Sequence, residues 1–132
     1  MTKEELSQIY YLNKEIKIWQ QELERLECQS LLKGQQLSGM PSGSGTSDKT
    51  GDLAIKKTDI QLVIEGKLKE IQLQREKIIE YISGIEDSLM RQIVYFRNVS
   101  CMSWRQVAAE IGGNNTEDGV RMAYDRFVKK NL

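Results

Sequence analysis

The sequence predicts an all-α chain: a long helical, coiled-coil hairpin followed by a small C-terminal helix-turn-helix domain. Apolar residues recur every three or four positions through much of the first 85 residues. Glycine, serine and the single proline gather in one stretch, GQQLSGMPSGSGTSDKTGD, at 34–52. Two short amphipathic patterns flank a Gly112-Gly113 break near the C-terminus. The expected division is therefore 1–85 for the hairpin, with its Gly/Ser-rich loop at 34–52, and 86–132 for the C-terminal domain.

Thr2 is a suitable N-cap, and Glu4 and Glu5 fall in the first turn, where the helix dipole favours anions. Ile9, Leu12, Ile16, Trp19, Leu23 and Leu26 then follow at spacings of 3, 4, 3, 4 and 3. That rhythm holds one apolar stripe towards a partner helix. Over roughly 30 residues such a helix runs about 45 Å. The stretch at 34–52 shows no helical period and reads as a loop. Its 19 residues are long for a hairpin connection, so it is either a tether or a functional segment.

A second seam comprises Ile60, Ile64, Leu68, Ile71, Ile78, Ile82 and Ile85, with Arg75 where the stripe would continue. Gly66 weakens this helix by ~1 kcal/mol relative to alanine. The two seams have similar lengths, which favours an antiparallel hairpin with the loop at its tip. The flanks of such a hairpin also allow a dimer or larger bundle. Trp19 and Leu23, mid-seam, lead us to expect a homo-oligomer formed through the heptad helices.

Gly84 can close the second helix, and Asp87 or Ser88 can start the next. Leu89, Ile93 and Phe96 share one face of that helix; Val99, Cys101 and Met102 lie in the connection after it. Ser103 and Gln106 have the spacing of a capping box. Trp104, Val107, Ala108 and Ile111 then form one face, which makes Trp104 a core residue rather than a base-stacking one. Gly112 and Gly113 permit left-handed backbone. Thr116 caps the last helix, and Val120, Tyr124 and Phe127 claim its inner face. Two short helices around a glycine turn have the pattern of a helix-turn-helix.

At ~100° per residue, Asp118, Arg121, Met122 and Asp125 then point outward. Recognition helices read bases from their N-terminal half, so Arg121 is best placed for a guanine edge. Its alternative is an ordinary ion pair with Glu117 or Asp125. Asn115 and Thr116 at the helix start offer backbone N–H groups to a phosphate. Arg126, Lys129 and Lys130 lie further along and suit the DNA backbone.

Bulk charge does not argue for nucleic acid, since 19 basic and 19 acidic residues cancel. Residues 1–32 carry four basic and six acidic residues, and residues 86–132 carry seven and six. The two cysteines, Cys28 and Cys101, form no CxxC pair, and histidine is absent. Zinc sites of ordinary spacing and histidine acid/base catalysis are thereby excluded. GSGTSDKT lacks the spacing of a phosphate-binding loop. We expect no enzyme activity, no catalytic or metal-binding residues and no cofactor. The polar start MTKEELSQ resembles no signal peptide, and no apolar run approaches the ~20 residues of a membrane span. Together with two free thiols this predicts a cytoplasmic protein without a membrane partner. Asn98-Val99-Ser100 and Asn114-Asn115-Thr116 match glycosylation acceptors, which carry no meaning without secretion.

MSWRQVAAEIGG followed by TEDGVRMAYDRFVKK resembles region four of bacterial sigma factors, and DSLMRQIVYFRNVSC resembles the helix that supports that unit. The matching positions are Ser103, Val107, Ala108, Val120 and Arg121. This resemblance covers about a third of the chain. The whole chain also resembles small proteins encoded by phages and prophages of Gram-positive bacteria, related to the ArpU and RinA type of late-gene transcription regulators. Those share a heptad-rich first half, a loop like GMPSGSGTSDKTGD and a sigma-like C-terminus. In that loop, backbone N–H groups, Ser, Thr and Lys49 suit a phosphate. The resemblance implies a DNA-binding transcription regulator whose partners are double-stranded DNA and RNA polymerase. Two alternatives are a small DNA-packaging subunit of a phage terminase and a coiled-coil scaffold without nucleic acid.

Overall fold

Thr2 starts the first helix through a reciprocal cap. Its Oγ1 accepts from the Glu5 backbone N–H at 3.1 Å, and Glu5 Oε2 accepts from the Thr2 N–H at 3.0 Å. The computed structural model describes residues 1–37 and 46–132, with side chains described outside 32–50. In chain order the helices are α1 (Lys3–Leu37), α2 (Thr46–Ser83), α3 (Ser88–Val94), α4 (Trp104–Ile111) and α5 (Glu117–Asn131). A π-helical turn, Tyr95–Val99, extends α3. No strand occurs among the described residues, so the chain is all-α as its patterning predicts.

Helix occupies both ends of the loop expected at 34–52. Residues 34–37 belong to α1 and 46–52 to α2; the remainder, and the side chain of Lys49, lie outside the described residues. Extending an existing helix adds a hydrogen bond for each residue ordered, and even glycine and serine tolerate that at a helix end.

Two compact units arise: Met1–Asn13 with Glu70–Leu132, and Lys14–Lys69. In the second unit Ile16, Leu26 and Leu53 are buried, and Trp19, Leu23, Ile60 and Ile64 are half-buried. Leu68 is not in the seam; it is 52% exposed. Half-buried Lys67 occupies that step, its Nζ 3.5 Å from Glu15 Oε1. The inward positions are thus Leu53, Lys57, Ile60, Ile64 and Lys67, at strict spacings of 4, 3, 4 and 3. Helical phase overrides side-chain type here, because a lysine stem covers apolar surface while its ammonium reaches a carboxylate. Trp19 Nε1 is buried and finds no acceptor among the described residues.

In the first unit one core draws on every helix. Leu6 and Ile9 of α1 and Ile78 and Ile82 of α2 join Met90, Ile93 and Val94 of α3. Val107 and Ala108 of α4, and Val120, Tyr124 and Val128 of α5, complete it. After Ser83 the chain turns by short-range bonds, from Gly84 N–H to Tyr81 O at 3.1 Å and from Ile85 N–H to Ile82 O at 3.0 Å. Asp87 caps α3, its Oδ1 accepting from the Leu89 N–H at 3.2 Å. That start sets the phase so that Met90, Ile93 and Val94 face the core. Leu89, expected inside, is 38% exposed, and Phe96 is half-buried.

The π turn closes with Ser100 N–H on Tyr95 O at 3.1 Å and Met102 N–H on Phe96 O at 3.0 Å. Cys101 ends it at φ +56°, a left-handed conformation that costs a residue with a Cβ ~1–2 kcal/mol. The wider turn carries Asn98 inward. Among the described residues, no helix is long and apolar enough to cross a membrane.

Candidate nucleic-acid interface

The C-terminal segment 103–132 is built from two capped helices. Ser103 Oγ accepts from the Gln106 N–H at 3.3 Å, and Gln106 Oε1 accepts from the Ser103 N–H at 2.9 Å. The capping box read from the sequence is therefore present. α4 ends at Gly112, φ +72°, followed by Gly113, φ +65°. A Cβ at either position would sit in strained backbone. The side-chain amide of Asn115 then donates to Gly112 O at 2.9 Å, bracing the turn.

Thr116 caps α5, its Oγ1 accepting from the Gly119 N–H at 3.0 Å. A Cβ on Gly119 would lie 2.9 Å from that same oxygen. Glycine at the third helical position therefore keeps the cap hydroxyl close, despite its low helix propensity.

The inner face of α5 is Val120, Tyr124 and Val128, all buried. Phe127, expected there, is half-buried, and Val128 takes the deeper position. Asn115, Thr116, Asp118, Arg121, Met122, Asp125, Arg126, Lys129 and Lys130 are all exposed, so the whole set lies on accessible surface. Arg121 Nη2 sits 3.4 Å from Asp118 Oδ1, a partner one turn back rather than Glu117 or Asp125. Both groups are open to solvent, and such a pair contributes ~0–1 kcal/mol. Arg126 Nε reaches back to Met122 O at 3.4 Å.

The set does not share one stripe. Arg121 and Lys130 are nine positions apart, which at ~100° per residue places them on opposite flanks of α5. Asp125 and Lys129 border a shallow groove with Thr2 and Lys3, whereas Lys130 borders another with Tyr81 and Asp87.

Behind α5 lies a cluster that pattern reading did not find. Asn98, 6% exposed, donates from Nδ2 to the Tyr124 hydroxyl at 3.1 Å, and that hydroxyl lies 3.2 Å from Asn98 Oδ1 as a donor. Burial pushes the Tyr124 pKa up, while the bond to Asn98 pulls it down. Arg97 Nη1 donates to Met102 O at 2.8 Å, and its Cζ lies 4.4 Å from the centroid of the Trp104 ring. Trp104 in turn meets Tyr124 at 5.0 Å between ring centroids. Asn98 therefore anchors the π turn to α5 and cannot carry a glycan. The available signal was an amide set within the apolar run IVYFRNV.

Trp104 is consequently not a fully buried core residue. One side of its ring meets Tyr124, and part of it borders a groove of about 600 Å³ with Tyr10, Tyr11, Arg97 and Lys3. Trp104→Ala should cost ~1–3 kcal/mol in urea unfolding, below the ~3–5 kcal/mol of a fully enclosed aromatic. The half-buried ring packs against the core, and a loss above this range would show that this packing counts as much as full enclosure.

Among the described residues no three Cys, Asp or Glu side chains gather as a metal site. No family model, curated protein or solved structure matches this chain.

Proposed function

We propose that the protein is a DNA-binding transcription regulator of the phage or prophage type, with α4, the Gly112-Gly113 turn and α5 acting as a helix-turn-helix. The observation that carries this reading is the division of α5. Val120, Tyr124 and Val128 are buried, while Arg121, Met122, Arg126 and Lys129 stay exposed behind a capped, glycine-turned start. Arg121 is the base-reading residue, because an arginine fork matches the two acceptors on a guanine edge. Exposed Met122 offers an apolar contact of the kind a thymine methyl accepts. Arg126, Lys129 and Lys130 contact phosphates, and the opposite placement of Arg121 and Lys130 suits a helix with one DNA strand on each side.

In this reading the long helices set oligomeric state or meet RNA polymerase, the protein acts in the cytoplasm, and it has no catalytic role. The acids at 117, 118 and 125 make the affinity modest, and the phosphate contacts of Arg126, Lys129 and Lys130 make it salt-sensitive. A mobility-shift experiment on duplex DNA with a salt titration tests the reading. Binding whose affinity falls steeply with salt supports it; no binding at low salt leaves the scaffold alternative. Reporter activation then separates transcription control from DNA packaging.

A further inference from the structure

We propose that the outward face of α2 is a contact surface for a second, antiparallel copy of this chain, centred on the region of Gly66. Within the chain, the buried or half-buried side of α2 here carries Leu53, Ile60 and Ile64. A second series runs along the helix on the other side: Ile55, Asp59, Leu62, Gly66 and Lys69, at spacings of 4, 3, 4 and 3. At ~100° per residue it lies well over 90° from the seam. All five are exposed, Ile55 at 62% and Leu62 at 60%.

Gly66 is the observation that the chain itself does not explain. It lies inside a 38-residue helix, where glycine is a poor helix former. A Cβ there would meet nothing within 4 Å. No intrachain packing demands glycine, and its φ is not left-handed. What a bare Cα on an exposed stripe does supply is close approach for another helix.

The charge pattern identifies that other helix. Leu62 and Gly66 share a midpoint at position 64, and so do Asp59 and Lys69. Two copies of α2 running antiparallel about that point place Leu62 of each over Gly66 of the other. They also place Asp59 of each against Lys69 of the other. In sequence the same midpoint relates Ile55 to Leu73. Antiparallel coiled pairs form such alternating layers, with a large side chain entering the space over a small one. A parallel pair would oppose Asp59 to Asp59 and Lys69 to Lys69, which like-charge repulsion disfavours. Neither Asp59 nor Lys69 has an ion-pair partner among the described residues. Self-association thus uses this exposed stripe rather than Trp19 and Leu23, which are half-buried within the chain. The proposal does not depend on DNA binding. Joined to that reading, a two-fold dimer calls for an inverted-repeat target.

Sedimentation equilibrium of the full chain at rising concentration tests it, with helicity followed by circular dichroism. A monomer–dimer equilibrium is expected at micromolar to high micromolar concentration. Gly66→Gln, which gains helix propensity and finds open space in the monomer, should weaken the dimer about ten-fold or more with helicity retained. Asp59→Lys should weaken it too, and Asp59→Lys with Lys69→Asp should restore it. A parent chain that stays monomeric at high micromolar concentration overturns the proposal. So does a Gly66→Gln dimer as tight as the parent's, or a charge swap that fails to restore association.

Discussion

Tyr124→Ala should remove ~3–5 kcal/mol of stability, a large share of what a domain of this size possesses. The ring is buried between Trp104 and the core, and its hydroxyl is a partner of buried Asn98. The substitution opens a cavity and orphans an amide together. Tyr124→Phe isolates the second effect. It keeps the ring and should cost ~1–3 kcal/mol, because the amide stays buried without its partner. Adding Asn98→Leu to Tyr124→Phe should recover part of that loss, since removing both polar partners is less costly than removing one. Urea unfolding of the four proteins measures this. Equal stability of Tyr124→Phe and the parent would mean that the Asn98 contact contributes nothing.

Arg121→Ala should lose ~1–3 kcal/mol of discrimination at one base pair while the fold is retained. Retention follows from its surroundings: Arg121 is exposed, and among the described residues it is held by the loose 3.4 Å pair with Asp118. Lys129→Ala should instead weaken binding to all sequences alike and reduce the salt slope by about one. Competition binding against single-base variants of the best site measures the first effect, and a salt titration the second. If Arg121→Ala binds its best site as tightly as the parent, α5 does not read bases through this residue, and the scaffold alternative gains.

Much of the helical framework was legible because it rests on local chemistry. Caps at Thr2, Asp87, Ser103 and Thr116 need only the neighbouring three residues, and each is where the residue types indicate. Gly112 and Gly113 take left-handed backbone for an equally local reason. Exposure of Asp118, Arg121, Met122 and Asp125 on α5 followed from helical period.

Hydrophobicity alone does not fix helical phase. Leu68 and Leu89 look like core residues by type, yet each lies one position off the inward track, and Lys67 and Met90 take those places. A rotation of one residue is invisible to composition but decides which side chain meets the neighbouring helix. Phe127 and Val128 exchanged roles in the same way. Helix enters both ends of the 34–52 stretch because glycine and serine mark a helix as weak without marking where it stops.

By itself, then, the sequence determined an all-helical chain, where most of its helices start, and which short segment turns on glycine, since each depends on contacts within about one turn. Tertiary structure alone decided that Asn98 and Tyr124 pair across 26 positions, that Trp104 is half open beside Arg97, and that Gly66 faces empty space. Those outcomes depend on the rotation and close packing of elements distant in sequence, and for Asn98 on the one-residue widening of the π turn that carries it.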